Sequence, residues 1–296
     1  MKNRTTATLA TIALAGMVGL VGCSSGTAET LDNGDQKDVT IAVFQGWDEG
    51  VAASYLWKAV LEEKGYDVEL EDADVAPVYE GLSSGDYDLV LDTWLPQTHK
   101  TYMDRYGKDV TDLGAWNDDA KLTIAVNEDA PIDSLDELAA NADLFDNRLI
   151  GIEPGAGLTE ATQEKVIPGY GLEDMEYLTS STAAMLSELK SRTDAGENVV
   201  VTLWTPHWAY DAFPLKDLAD PKSTLGDAES IHSVSSKQFG DKFPTLEGWI
   251  KNFTMDSDQL YSLENAMFNE NSGDDYEPIV AKWIEDNRDY VDSLTK

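Results

Sequence analysis

The chain has 296 residues and carries 21 Lys and Arg against 56 Asp and Glu, a formal net charge of −35. A charge of that sign excludes nucleic acid as a partner, because phosphate recognition needs basic residues. With one cysteine and three histidines, there is no internal disulfide and no metal-ligand spacing, and no phosphate loop or metalloprotease helix is present either. Only 26% of residues are charged, so the imbalance reflects scarce bases and suits a saline medium, where self-repulsion is screened.

The N-terminus opens with Lys2 and Arg4, followed by the apolar run "TLATIALAGMVGLVG", which stops at Cys23. A charged start before an apolar segment too short to span a bilayer predicts a cleaved leader over residues 1–22. "LVGC" resembles the lipobox of bacterial lipoproteins, which implies lipidation of Cys23 and an extracytoplasmic protein held to the membrane by that lipid alone. Loss of the two leader bases leaves the mature chain at −37. Residues 23–37, small, polar and free of aromatics, read as a flexible tether.

From residue 38 the chain repeats itself. "VTIAVFQGWDEG" through "YDLVLDTWLPQTHK" reads strand, glycine loop, helix, strand, helix, strand, then Trp-x-Pro. "NRLIGIEPGAGLTE" through "NVVVTLWTPHW" reads the same way. Ile41 and Trp94 are 53 residues apart, and Ile150 and Trp204 are 54 apart. Short apolar strands alternating with helices predict parallel βαβ units, here an α/β clamshell of two lobes like the type II periplasmic binding proteins. "KLTIAVNEDAPIDSLDELAAN" leaves the first lobe and "AESIHSVSSKQF" returns to it, ahead of C-terminal helices. The expected division is residues 38–125 with 232–296 for lobe 1 and 126–231 for lobe 2.

Ligands of open parallel sheets bind beyond the carboxyl ends of the strands. Four segments fall there: "FQGWDEG", "DTWLPQTH", "EPGAGLT" and "LWTPHW". Three of them supply an indole, from Trp47, Trp94 and Trp204. The fourth supplies Gly155 and Gly157 at a helix start, where bare N–H groups favour an anion. His99 adds a donor. Indole faces attract a cation that has shed its water, by about 0.5–2 kcal/mol per ring. A quaternary ammonium with a carboxylate at its other end, as in glycine betaine, suits both sides.

These motifs also resemble the glycine betaine-binding proteins of bacterial ABC importers, over residues 38 to the end. The resemblance implies an indole prism of Trp47, Trp94 and Trp204 around the ammonium. It implies a carboxylate held by the amides of Gly157 and Leu158 and by His99. It further implies delivery to a membrane permease driven by an ATPase, with no catalytic residue, cofactor or metal, and a monomeric binding protein.

Other residues read more plainly. Trp57, Trp116, Trp249 and Trp283 are expected in the core. His207 supports its turn or faces solvent, and His232 belongs to the hinge or the surface. Asp48 and Glu49 are expected to bond loop amides without touching the ammonium. Trp208 either buttresses the cage or packs under its loop. "GLSSG" around Ser83 has the spacing of a nucleophile elbow, but the helix precedes and the strand follows, the reverse of what an elbow needs.

Overall fold

The computed structural model describes residues 36–270, 273 and 275–296. The leader, Cys23 and almost all of the tether lie outside the described residues. The strands are β1 (Asp38–Phe44), β2 (Asp67–Ala73), β3 (Leu89–Leu95), β4 (Val110–Asn127), β5 (Arg148–Ile150), β6 (Glu176–Leu178), β7 (Val200–Thr205), β8 (Leu215–Asp217) and β9 (Glu229–Ser236). Their order is β2-β1-β3-β9-β4-β7-β5-β6, with β8 against β4.

The order mirrors itself about its centre. β1 lies between β2 and β3, parallel to both, and β5 lies between β6 and β7, parallel to both. Parallel neighbours need a helical crossover. In the first unit these are α1 (Asp48–Glu63) and α2 (Val75–Ser84). In the second, a helix starts at Gly157 and continues through a π-turn at Thr162–Val166, and another spans Thr182–Ala195. β3 is buried from Leu89 to Trp94, and β7 from Val200 to Trp204, as strands covered on both faces must be.

β9 and β4 join the units. β9 is antiparallel to β3 on one side and to β4 on the other. β4 is 18 residues long and changes partner along its length: Ala120 pairs with Glu229 of β9, and Lys121 with Thr205 of β7. The two passages between units are thus strands of the sheet, with register shifts along β4 and β9.

The core holds the four indoles assigned to it. Trp57 on α1 is fully buried edge-on to Phe253, and Trp116 stacks on the same ring at 5.1 Å while donating to the Leu91 carbonyl at 2.7 Å. Trp249 and Trp283 are buried under the C-terminal helices. Ser83 sits in the last turn of α2, where its hydroxyl donates to the Glu80 carbonyl at 2.8 Å and the helix ends at Gly85, φ 85°. It is a helix-end serine and has no elbow geometry. Among the described residues no helix is long and apolar enough to cross a membrane.

Candidate functional site

The carboxyl ends of β1, β3, β5 and β7 converge on one cavity of about 290 Å³. Trp47, Trp94, Trp204, His99, Gly157 and Leu158 all line it, with Glu49, Thr98, Leu122, Ile152 and Ala156. Trp47 ends the loop after β1 and N-caps α1. Trp94 and Trp204 come from the matching ends of β3 and β7, each followed by a cis X–Pro peptide, Leu95–Pro96 and Thr205–Pro206. Glycine at 46 serves the first loop, which passes through φ 85° there.

Each of the three lining indoles has its N–H tied to a carboxylate, which restrains the ring. Trp94 Nε1 donates to Asp92 at 2.9 Å, and Trp204 Nε1 donates to Glu49 at 2.9 Å. Trp47 Nε1 donates to Glu153 at 3.4 Å. Two of these bonds run between the repeated units, as does that from Trp208 Nε1 to Asp48 at 2.6 Å. Trp208 is thereby assigned: it packs on His207, which packs edge-on against Trp204 at 4.6 Å, so the three rings form a stack behind the cage. His207 is fully buried and its Nδ1 accepts from the Ala209 amide at 3.1 Å, so of the two expectations it takes the turn-supporting one.

His99 is prepared as a donor. The Trp94 amide donates to its Nδ1 at 2.9 Å, which puts the ring proton on Nε2. Burial pushes the imidazole down to about 3, so it is neutral at physiological pH. Its Nε2 is buried and has no protein partner. The ring stacks on Trp47, 5.4 Å between centroids and 11° from parallel. The loop bearing it is held from below: the amides of Gln97 and Thr98 donate to buried Glu229 at 2.6 and 2.9 Å.

Gly157 and Leu158 occupy the first two positions of their helix, where N–H groups have no partner within the helix. Gly157 lies so close to the facing loop that a Cβ would stand 2.3 Å from the Thr98 carbonyl oxygen. Glycine here permits close approach of two backbones. Glu160, in the same first turn, is exposed, and Thr159 is buried.

The acids of "GWDEG" do more than the expected amide bonding: Glu49 accepts from a backbone amide and also from the Trp204 indole, Asp48 accepts from the Trp208 indole, and Glu49 lines the cavity. Burial raises Asp48 to about 7 and Glu49 to about 8, against hydrogen bonds from Trp208 and Trp204 that oppose the shift. His232 sits on β9 and pairs with Asp112 at 2.9 Å, away from the cavity. Asp92 and Glu229 are not legible in the sequence because acids are common in this chain and only the tertiary fold buries these two. Among the described residues no group of His, Cys, Asp or Glu is arranged to hold a metal.

Two parallel α/β units joined by two antiparallel passages, with an aromatic cavity where their strand ends meet, have the architecture of a two-lobed substrate-binding protein. The chain belongs to the family of substrate-binding domains of ABC-type glycine betaine transport systems, whose pattern matches residues 37–286. Domains of this family are extracytoplasmic.

It is 36% identical over 168 residues to the glycine betaine/carnitine transport binding protein of Listeria monocytogenes, a match spanning 56% of this chain and 54% of the relative. The match therefore covers about half the length of that curated relative. Among solved structures, it resembles lactococcal OpuAC in a closed form with glycine betaine, at 29% identity and a TM-score of 0.80, over 88% of this chain and 100% of that one. It also resembles the glycine betaine/L-proline-binding protein ProX of Borrelia burgdorferi, at 28% identity and a TM-score of 0.82, over 88% and 97% of the two chains.

Proposed function

We propose that this protein captures glycine betaine outside the cytoplasm and hands it to a membrane permease powered by an ATPase, for osmoprotection. The observation that carries the reading is one cavity lined by three indoles together with a neutral His99 whose Nε2 is unpartnered and the helix start at Gly157 and Leu158. Three indoles supply a surface for a trimethylammonium, which has no hydrogen-bonding group to satisfy. The amides of Gly157 and Leu158 with His99 supply donors for the carboxylate. Choline lacks the carboxylate and would leave those donors unmatched, which is costly in a buried site. Carnitine and proline betaine carry both groups and rank next.

The lipid on Cys23 would hold the mature protein, acting as a monomer, near its permease. We also propose that the lobes move about the two connecting strands. The partner change on β4 supports a boundary at Ala120 and Lys121, paired with the start of β9, a few residues before position 126. Closure brings Trp204 of one lobe over Trp47 and Trp94 of the other, and the permease reads the closed shape.

Intrinsic tryptophan fluorescence titrated with glycine betaine, proline betaine, carnitine and choline tests the reading. Glycine betaine is expected to give a saturable shift at the lowest concentration and choline at the highest. Absence of any response at millimolar glycine betaine, a binding free energy weaker than about −4 kcal/mol, would sink it.

A further inference from the structure

Glu49 is the one charged side chain among the described residues lining the cavity. Only 2% of it is exposed, and its Oε2 accepts from Trp204 Nε1. Directly behind it on β3 stands Asp92, 1% exposed, whose Oδ1 accepts from Trp94 Nε1 and whose Oδ2 receives no N–H donor. Asp92 Oδ2 is buried without a partner, and the Asp92 carboxyl lies against the segment of α1 that bears Glu49, so an unpartnered carboxylate oxygen stands beside a second buried acid. The sequence makes room for this pair: a Cβ on Gly50 would stand 2.6 Å from the Asp92 carboxyl, so only glycine lets α1 approach β3 so closely.

No base compensates these acids. The groups facing the pair are Asp48 on α1, Tyr79 on α2 and Glu264 on the helix Ser257–Glu264, with the imidazole of His99 on the cavity wall and that of His207 beside Asp48. Both imidazoles are neutral, pushed down to about 3 by burial. Neither Glu49, Asp92 nor Glu264 has an ion pair with Lys or Arg among the described residues, although the exposed surface has many such pairs. Burial holds Glu49 and Asp92 above the ordinary carboxylate range; repulsion from Asp48 adds to it at Glu49, and repulsion from Glu49 and Glu264 adds to it at Asp92. A buried carboxylate without a counter-charge takes up a proton or waits for a cation.

We propose that the Glu49–Asp92 pair is the charge-selecting element of the cavity: it holds a proton until a quaternary ammonium enters and then releases that proton to solvent. The ligand's fixed positive charge replaces the mobile one. The indole faces, which already favour a cation, are thereby backed by a carboxylate that rewards the same charge. This rests on reading the cavity as a quaternary-ammonium site. The sign follows from linkage: a ligand that lowers the affinity of the pair for its proton binds more tightly as pH rises. Affinity then climbs as pH is raised through the range in which the pair, held above the ordinary carboxylate range by burial, loses its proton, and levels off beyond.

Calorimetric titration of the purified protein tests this, in two buffers of different ionisation enthalpy and with two ligands of one shape, glycine betaine and its uncharged-headed carbon isostere 3,3-dimethylbutanoate. The expected wild-type result is a buffer-dependent enthalpy reporting proton release, the rising pH profile, and a preference for glycine betaine of at least about a hundredfold. Glu49→Gln keeps the shape and an acceptor for Trp204; it should abolish the proton release, flatten the profile and cut the preference at least about tenfold. Should Glu49→Gln fail to fold, Asp92→Asn and the wild-type buffer dependence carry the test. Wild-type binding with neither proton release nor pH dependence overturns the inference while leaving the betaine reading intact, as does a Glu49→Gln variant with unchanged preference. No wild-type binding of either ligand overturns both.

Discussion

Replacing Trp204 by alanine is expected to weaken glycine betaine binding by about two orders of magnitude, about 3 kcal/mol, while the protein stays folded. Two losses add. The cage loses one of three faces, worth about 0.5–2 kcal/mol for a desolvated cation. Glu49 loses the 2.9 Å bond from the Trp204 indole in a buried position, at about 1–3 kcal/mol for a weakened match of a buried polar group. Neither loss touches the strand ladder, because Trp204 meets β4 through its backbone at Leu122. Isothermal titration compared with Trp204→Phe separates the contributions, since phenylalanine keeps a ring face and removes only the donor. A Trp204→Ala variant with wild-type affinity would contradict the cage.

Gly157→Ala is the second large effect, and its cause is steric. The added methyl would stand 2.3 Å from the Thr98 carbonyl oxygen and 2.7 Å from its Cγ2, closer than atoms tolerate. The Thr98 loop has little freedom to retreat, because Glu229 fastens it through the amides of Gln97 and Thr98. The two surfaces belong to different repeated units, so the strain is relieved by holding them apart, with each unit intact. Alanine is also a better helix residue than glycine at that position. Overpacking of this kind costs about 1–3 kcal/mol, so binding should fall about 10- to 100-fold with little change in melting temperature. Small-angle scattering should show that glycine betaine compacts the wild type and not the variant. Compaction of both would mean that Thr98 yields and that this contact does not limit closure.

Much of this arrangement is legible in the residues. The doubled strand–helix pattern gives β1 to β3 and β5 to β7, because short β-branched runs with helices between them have few other ways to bury both faces. The six residues named for the ligand share one cavity because each falls at a strand end or helix start, where the repeat fixes position to within a residue. The first half of β4 is less visible. Its "VTDLGAWNDDA" carries register shifts between Asp112 and Gly114, Ala115 and Asn117, and Asn117 and Ala120. These break the period-two alternation by which a strand is recognised. The carboxylates behind the cage were hidden for another reason. In a chain with 56 acids, nothing local distinguishes Asp92 from a solvated neighbour, and only the packing of Gly50 against β3 creates its environment. Trp208 was ambiguous for the same reason, since its partner Asp48 is 160 positions away.

The most direct test is a crystal structure of the protein grown with glycine betaine. The account predicts the trimethylammonium between Trp47, Trp94 and Trp204. It predicts one carboxylate oxygen within hydrogen-bond distance of the Gly157 and Leu158 amides, and the carboxylate accepting from His99 Nε2. A ligand bound in the reverse orientation, or outside the cavity bounded by these residues, would contradict it.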